Sequence, residues 1–310
     1  MAFIRGFGAY LPPHVVSNDE IGPQVGCDAN WIVNVSGIEE RRFANGESVA
    51  DMATRAAEDC LERSEVPSSK IGMILVSSGS SERQFPGPAA ALACRLGLNT
   101  TPAIDIPMAS AGSLFAMSLA SRLAKAYGTI LVVGAEKMSS VVMRQPMERG
   151  VAILFGDGAG ACLIDEEKGP ARIVDSVIQT DGAFREDLRL DFEKPLEMNG
   201  RSVILQASRK IPRAVETLLG RNGRKPEDVD TYLMHQANQN LIARIAQALG
   251  VAEEKFFSNI RKYGNTSSAS MLIAAAEWFQ THEFKLDVPV CFASFGAGYH
   301  WGALLAEGVA

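Results

Sequence analysis

Apolar runs alternate with helical periodicities along this chain. Ile71–Val76 is apolar almost throughout and predicts a buried strand. A helix is expected around Ala89–Leu96, a strand over Ala103–Ile106 and a long apolar helix from Ala111 to about Ala126. Strand Thr129–Val133 comes next, followed by a glycine-rich hairpin at Phe155–Ala161. The second half repeats the order: strand Asp230–Met234, helix Gln239–Leu249, short strand Phe256–Asn259 and long helix Ser267–Phe279. Strand Val288–Ala293 and the glycine turn Phe295–Gly298 then lead into Tyr299–Ala306. Strands alternating with helices in this way mark an α/β protein.

The repetition extends to particular residues. Leu92–Leu98 (LACRLGL) parallels Ile245–Val251 (IAQALGV), and Ser110–Ser113 parallels Asn265–Ser268, each opening an apolar helix. Two similar halves related by a pseudo-twofold axis would bury their sheets against shared central helices. The polar stretch Glu166–Pro170 ends in Gly-Pro and sets the boundary, giving halves 1–168 and 169–310. Gln179–Asn199 is charged and poorly periodic, and reads as a surface excursion bordering a site.

Three segments carry candidate chemistry. Ser110 opens an apolar helix, where the helix dipole and free N–H groups favour a nucleophile, although a serine there also serves as a plain cap. His235 ends a second-half strand, the usual position of α/β sites, although a histidine there, taken alone, is more often structural than catalytic. Asn265 follows Gly264 and is either a helix cap or an amide donor. A nucleophile, an imidazole and an amide together suggest acyl transfer. Gly296-Ala297-Gly298 lets the backbone approach a ligand, with N–H groups able to hold an oxyanion. Asp157, between two glycines, and His300, beside Trp301, read as structural. No GxGxxG opening a helix, no phosphate-binding Gx4GK[ST] and no GxSxG is present.

Composition narrows the classes. The net charge of -6 over 310 residues argues against nonspecific nucleic-acid or anionic-membrane binding. No apolar run reaches membrane-spanning length, and the short apolar start does not fit a secretory signal. Five scattered cysteines suit reduced thiols in the cytoplasm rather than disulfides or a metal site. Cys94, Cys162 and Cys291 sit in apolar surroundings and are expected in the core.

Read together, these motifs resemble the thiolase-fold condensing enzymes, specifically the β-ketoacyl-acyl-carrier-protein synthase III family. The resemblance rests on Trp31–Val33, Gly37–Arg42, Phe85-Pro86, Asp105–Gly112, Arg149-Gly150, Phe155–Ala161, His235–Asn238, Gly264–Ser268 and Phe295–Gly302, in order over nearly the whole chain. It implies a homodimer of five-layered αβαβα subunits. It also implies that an acyl group moves from a coenzyme A thioester to the enzyme and is condensed with malonyl-acyl carrier protein, with loss of CO₂. No tightly bound cofactor or metal is implied. By position, Ser110 takes the place of the family's nucleophilic cysteine, and His235 and Asn265 the places of the pair that holds the malonyl thioester oxygen. The N–H groups of Ser110 and Ala297 would form the acyl oxyanion hole. Trp31 and Arg149 match residues that sandwich adenine, and Phe85 and Phe155 match residues near the acyl pocket.

The departures from that pattern matter chemically. A serine hydroxyl needs a base, for which His235 is the candidate, and a serine ester is a weaker acyl donor than a thioester. Asn34 and Asn240 stand where the family often has coenzyme A-binding arginines. Leu205 and Gln247-Ala248 replace basic residues of the usual carrier-docking surface. Ser110 is either a laboratory substitution or native to a specialised relative, and the simultaneous loss of basic positions favours the second. The expected activity is condensation. The alternatives are serine-dependent acyl transfer without condensation and a catalytically silent partner of an active synthase.

Overall fold

Apolar strands build a five-stranded mixed sheet in each half, the two sheets continuous through one shared edge as ten strands, in the computed structural model, which describes residues Met1–Ala310. In the first half the strands are β1 (Ala2–Tyr10), β2 (Ile71–Ser77), β3 (Ala103–Ile106), β4 (Thr129–Lys137) and β5 (Asp157–Asp165). In the second they are β6 (Ala171–Thr180), β7 (Thr231–Met234), β8 (Phe256–Phe257), β9 (Pro289–Gly296) and β10 (His300–Gly308). The first half runs β1-β5-β4-β2-β3 and the second β6-β10-β9-β7-β8, the same permutation. Antiparallel β1–β5 and β4–β5 pairs match β6–β10 and β9–β10, and the remaining pairs in each half are parallel. The halves meet edge to edge where Ala2–Ile4 pairs with Ala171–Ile173.

Helices complete five layers. The central pair is α4 (Gly112–Tyr127) and α7 (Ser270–Trp278). Their Leu114, Met117, Ala120, Met271, Leu272 and Trp278 join Phe7 and Val132 from one sheet and Phe292 and Leu304 from the other in a single buried cluster. Outside the first sheet lie α2 (Val49–Arg63) and α3 (Pro88–Arg95), the former opened by a Ser48–Asp51 capping box. Outside the second lie α5 (Gly200–Arg221) and α6 (Gln239–Leu249). A short helix, α1 (Ala29–Ser36), is tied to the start of α6, where Asn238 Nδ2 donates to the Val35 carbonyl at 2.9 Å. Gly134 lets α7 approach the first sheet, because a Cβ there would lie 2.3 Å from the Ser268 carbonyl oxygen. No helix is long and apolar enough to cross a membrane.

Two local expectations change. The glycine-rich stretch after Phe155 is not a hairpin. Its residues run straight into β5, where the small side chains leave room for α7: a Cβ at Gly160 would meet Leu272. Cys162 and Cys291 are buried as expected, but Cys94 is exposed, because α3 turns Leu92 and Ala93 inward instead. The excursion after Gln179 forms a short 3-10 turn and a two-stranded ribbon, Leu188–Arg189 with Glu197–Met198.

Candidate active site

The two central helices start beside each other, and the turns before them bring the candidate groups together. Ser110 precedes α4 with φ 59°, and Ser267 precedes α7 with φ 48°, both left-handed conformations that cost a non-glycine residue energy. The turns touch directly: Ser110 N–H donates to Ser267 Oγ at 3.0 Å. The two hydroxyl oxygens lie 3.4 Å apart. Gly296 closes in from β9, where a Cβ would be 2.1 Å from the Ala109 carbonyl oxygen and 2.7 Å from the Ala111 nitrogen. Only glycine therefore lets the Ala297 turn reach Ser110.

His235 continues from β7, its N–H donating to the Ala293 carbonyl at 2.9 Å. The ring is buried against the edge of Phe295, with centroids 5.6 Å apart, and burial pulls its pKa down to about 3. The imidazole is thus neutral throughout the physiological range. Its Nδ1 lies 2.6 Å from Ser270 Oγ, which also accepts the Gln236 N–H at 3.1 Å. No second acceptor lies within hydrogen-bond reach of the Ser270 hydroxyl, so we assign its proton to Nδ1 and the ring proton to Nε2. His235 is therefore a donor on its pocket side.

Asn265 is fixed in the same sense. Its backbone brackets Phe155, donating to Leu154 O at 2.9 Å and accepting from Gly156 N–H at 3.1 Å. Its side-chain Oδ1 accepts the Ser267 N–H at 2.9 Å, which leaves Nδ2, another donor, as the free end of the amide. Ser110, His235, Asn265 and Phe155 line one cavity of about 60 Å³ whose walls are mainly apolar. Leu188 and Met198 from the ribbon contribute to that wall, as expected of a segment bordering the site.

Several expected roles need revision. His235 makes no hydrogen bond to Ser110, and the tautomer assigned from Ser270 turns a donor toward the pocket, which is not the arrangement expected of a base for the serine. The Ser110 N–H already serves Ser267, which removes it from the expected oxyanion hole and leaves Ala297 as the remaining backbone donor. Phe85 does not reach the pocket: it is 84% exposed on the loop before α3. Trp31 and Arg149 do meet, with the guanidinium carbon 5.0 Å from the indole centroid. A base sandwiched between two planes needs about 7 Å, two contacts of about 3.5 Å, so exposed Arg149 must swing outward to admit one. Asn34 and Asn240 are neighbours, Asn240 Nδ2 donating to the Asn34 carbonyl at 3.1 Å.

Two contributors escaped the sequence reading. Arg41 is buried without a carboxylate partner, and burial lowers its pKa to about 10. Its guanidinium donates to Asn18 Oδ1 at 2.8 Å and to the Ile153 carbonyl at 2.6 Å, tying the end of the Arg149 segment to the chain leading into α1. Glu136, at the end of β4, is fully buried beneath Ser267. The available signal was a carboxylate closing the apolar run Thr129–Ala135. Asp157 and His300 are structural as expected, Asp157 accepting from Ala44 N–H and Ser139 and His300 packing on Phe115.

Known proteins carry the same architecture. Residues 104–182 match the family described as 3-oxoacyl-[acyl-carrier-protein (ACP)] synthase III, and residues 219–307 match its C-terminal part. The β-ketoacyl-[acyl-carrier-protein] synthase III of Lactococcus lactis subsp. cremoris is 33% identical, over 96% of both chains. That of Aquifex aeolicus is also 33% identical, over 97% of this chain and 98% of its own. The crystal structure of the Aquifex aeolicus synthase superposes with a TM-score of 0.95, covering 99% of this chain and 100% of the other at 32% identity. The priming β-ketosynthase of the R1128 polyketide pathway superposes at 0.92 with 27% identity, covering 100% of this chain and 97% of that one. With its twin sheets, shared central helices and Ser-His-Asn pocket, the chain belongs to the 3-oxoacyl-[acyl-carrier-protein] synthase III family of thiolase-fold condensing enzymes.

Proposed function

We propose that the protein takes an acyl group from a coenzyme A thioester onto Ser110 and joins it to malonyl-acyl carrier protein with loss of CO₂. The observation that carries this reading is the pair of donors, His235 Nε2–H and Asn265 Nδ2, facing one pocket with Ser110. Two neutral donors suit a thioester oxygen that becomes negative as CO₂ departs. The resulting carbanion attacks the acyl carbon, and the bond to Ser110 Oγ breaks as the new C–C bond forms. A histidine that donates from Nε2 serves this step and not proton removal from serine, which favours condensation over acyl transfer without it.

Trp31 and Arg149 are the proposed adenine contacts, Phe155 the acyl-pocket wall, and Ala297 N–H the donor to the acyl oxygen. Coenzyme A and the carrier protein enter as substrates. Leu205 is exposed at the position of a lost basic contact, so the acidic carrier would be held less by charge than in relatives. A homodimer fits the uncovered edge of β3 and the adjacent exposed Phe85, which would reach an acyl pocket only across such an interface. Sedimentation of the purified chain tests the dimer. The activity is tested by incubating the protein with an acyl-coenzyme A and recording Ser110 adduct mass, then adding malonyl-acyl carrier protein and measuring CO₂ and the β-ketoacyl product. An adduct with no CO₂ release would overturn condensation in favour of simple transfer. Neither adduct nor CO₂ with any donor would favour a silent partner.

A further inference from the structure

Glu136 has six hydrogen-bond donors and no cation. Oε1 accepts from Ser267 Oγ at 2.8 Å, Ser268 Oγ at 2.8 Å and Ser268 N–H at 3.2 Å. Oε2 accepts from Ser80 Oγ at 2.5 Å, Gly79 N–H at 3.0 Å and Ser78 Oγ at 3.4 Å. Donors from two distant segments, 78–80 and 267–268, converge on one carboxylate in the interior. An unpaired buried charge is costly, and a purely space-filling role would be met more cheaply by an apolar residue. The donors also organise it as an acceptor, since the two backbone N–H groups can only donate.

The one partner of Glu136 that also touches the reacting residue is Ser267. Its oxygen accepts the Ser110 N–H and lies 3.4 Å from Ser110 Oγ, while its proton goes to Glu136. A hydroxyl has one donor and two acceptor positions, and this arrangement uses all three when Ser110 Oγ–H turns to Ser267. The 3.4 Å separation is long for an O–H···O bond of about 2.5–3.0 Å, as catalytic contacts often are before substrate seats.

We propose that Ser267 and Glu136 form a proton relay that lets serine serve as the nucleophile in place of the family's cysteine. The proposal rests on Ser110 being the acyl acceptor. During acylation the Ser110 Oγ–acyl bond forms and the thioester C–S bond breaks. The Ser110 proton passes to Ser267 Oγ, the Ser267 proton passes to Glu136 Oε1, and coenzyme A leaves as the thiolate, which takes a proton from water. During condensation the Ser110 Oγ–acyl bond breaks, and the relay returns the proton from Glu136 through Ser267 to the departing oxygen. The carboxylate is thereby reset each turnover. Burial raises the pKa of Glu136 against the pull of its donors, which brings its basicity closer to what removing a serine proton requires. Glu136 acts through Ser267, so it is a positioning and proton-accepting residue and does not touch substrate.

The test compares E136Q and S267A with the parent, each also in an S110C background. Single-turnover acylation by an acyl-coenzyme A is followed by mass spectrometry, over a range of donor concentrations. Both changes are expected to slow acylation of Ser110 about 100-fold in rate constant, with little change in the donor concentration at half-saturation. In the S110C background, where a thiolate attacks without surrendering a proton, each should cost less than about threefold. S267A keeps the carboxylate and its remaining donors, so it carries the test if E136Q folds poorly. Equal slowing in both backgrounds would show a structural role and overturn the relay, as would no slowing in either. A parent that forms no adduct on Ser110 would defeat the proposed function itself, whereas a parent adduct formed equally fast in E136Q and S267A would defeat only the relay.

Discussion

The turns before α4 and α7 occupy equivalent places in the two halves and have diverged in what they present. Both enter their helices through a serine in a left-handed conformation, Ser110 and Ser267. Backbone conformation thus pairs Ser110 with Ser267, two residues beyond the pairing with Asn265 that the sequence suggests. The first-half turn offers its serine to the pocket. The second-half turn points its serine down to Glu136 and sends Asn265 forward instead. Duplication supplied two helix starts at one place, and under the proposed function the difference between them gives the nucleophile to one half and the oxyanion donors to the other.

Substitutions on either side of that division should separate the two chemistries. Ser110→Ala is expected to abolish the acyl adduct while leaving decarboxylation of malonyl thioester measurable. Asn265→Ala is expected to lower decarboxylation about 100- to 1,000-fold with the adduct still formed, as loss of an oxyanion donor does elsewhere. Paired adduct and CO₂ measurements check both. Parallel losses would mean that the turns act as one unit.

The second half also carries a pH signature. The folded pKa of His235, about 3, lies below the unfolded value near 6.5. The unfolded chain therefore binds more protons between those values, so stability falls as pH drops from about 6.5 toward 3. The expected loss is a few kcal/mol, with Glu136 opposing part of it because its own pKa is raised. Denaturant melts from pH 7 to pH 4 on the parent and His235→Gln check this, the variant showing the shallower acid limb. Decarboxylation itself should show no step between pH 6 and pH 8 from His235.

Gly296→Ala probes the contact between the halves. The added Cβ meets backbone at Ala109 and Ala111, which cannot rotate away. A destabilisation of about 1–3 kcal/mol is expected, read by thermal melting, with a larger proportional loss of acylation than of decarboxylation. The smallest effect concerns the donor. Asn34→Arg with Asn240→Arg should tighten acyl-coenzyme A binding by on the order of 1–2 kcal/mol and steepen its salt dependence. The gain is limited because the two positions adjoin and their charges repel. Calorimetry at two salt concentrations checks it.

Much of this was legible in the sequence because period and spacing report burial. Gln239–Leu249 is helical over the expected residues, and the apolar strands and central helices fall where the repeated pattern puts them. Ser110, His235 and Asn265 were also readable, since each closes or opens an apolar element. Less visible were groups whose role depends on contacts between distant segments. Glu136 receives donors from residues far away on both sides of it in the chain, and no local pattern marks that convergence. The group that pairs with His235 Nδ1, Ser270, comes from across the fold. Phe85 reads as an acyl-pocket residue by position, yet a single chain leaves it in solvent.

The shared central layer has a consequence for how the chain is made. α4 finishes at Tyr127, but α7, which packs with it, is complete only at Trp278. At typical rates of synthesis the intervening residues take roughly 8–30 s to appear, long compared with collapse of the first half. For that interval the newborn first half carries a central helix with one side uncovered, a surface that holdase chaperones or a neighbouring nascent chain would bind. Ser118, which later bonds Ser176 of β6 at 2.8 Å, places a hydroxyl on that waiting side and keeps it from being uniformly sticky.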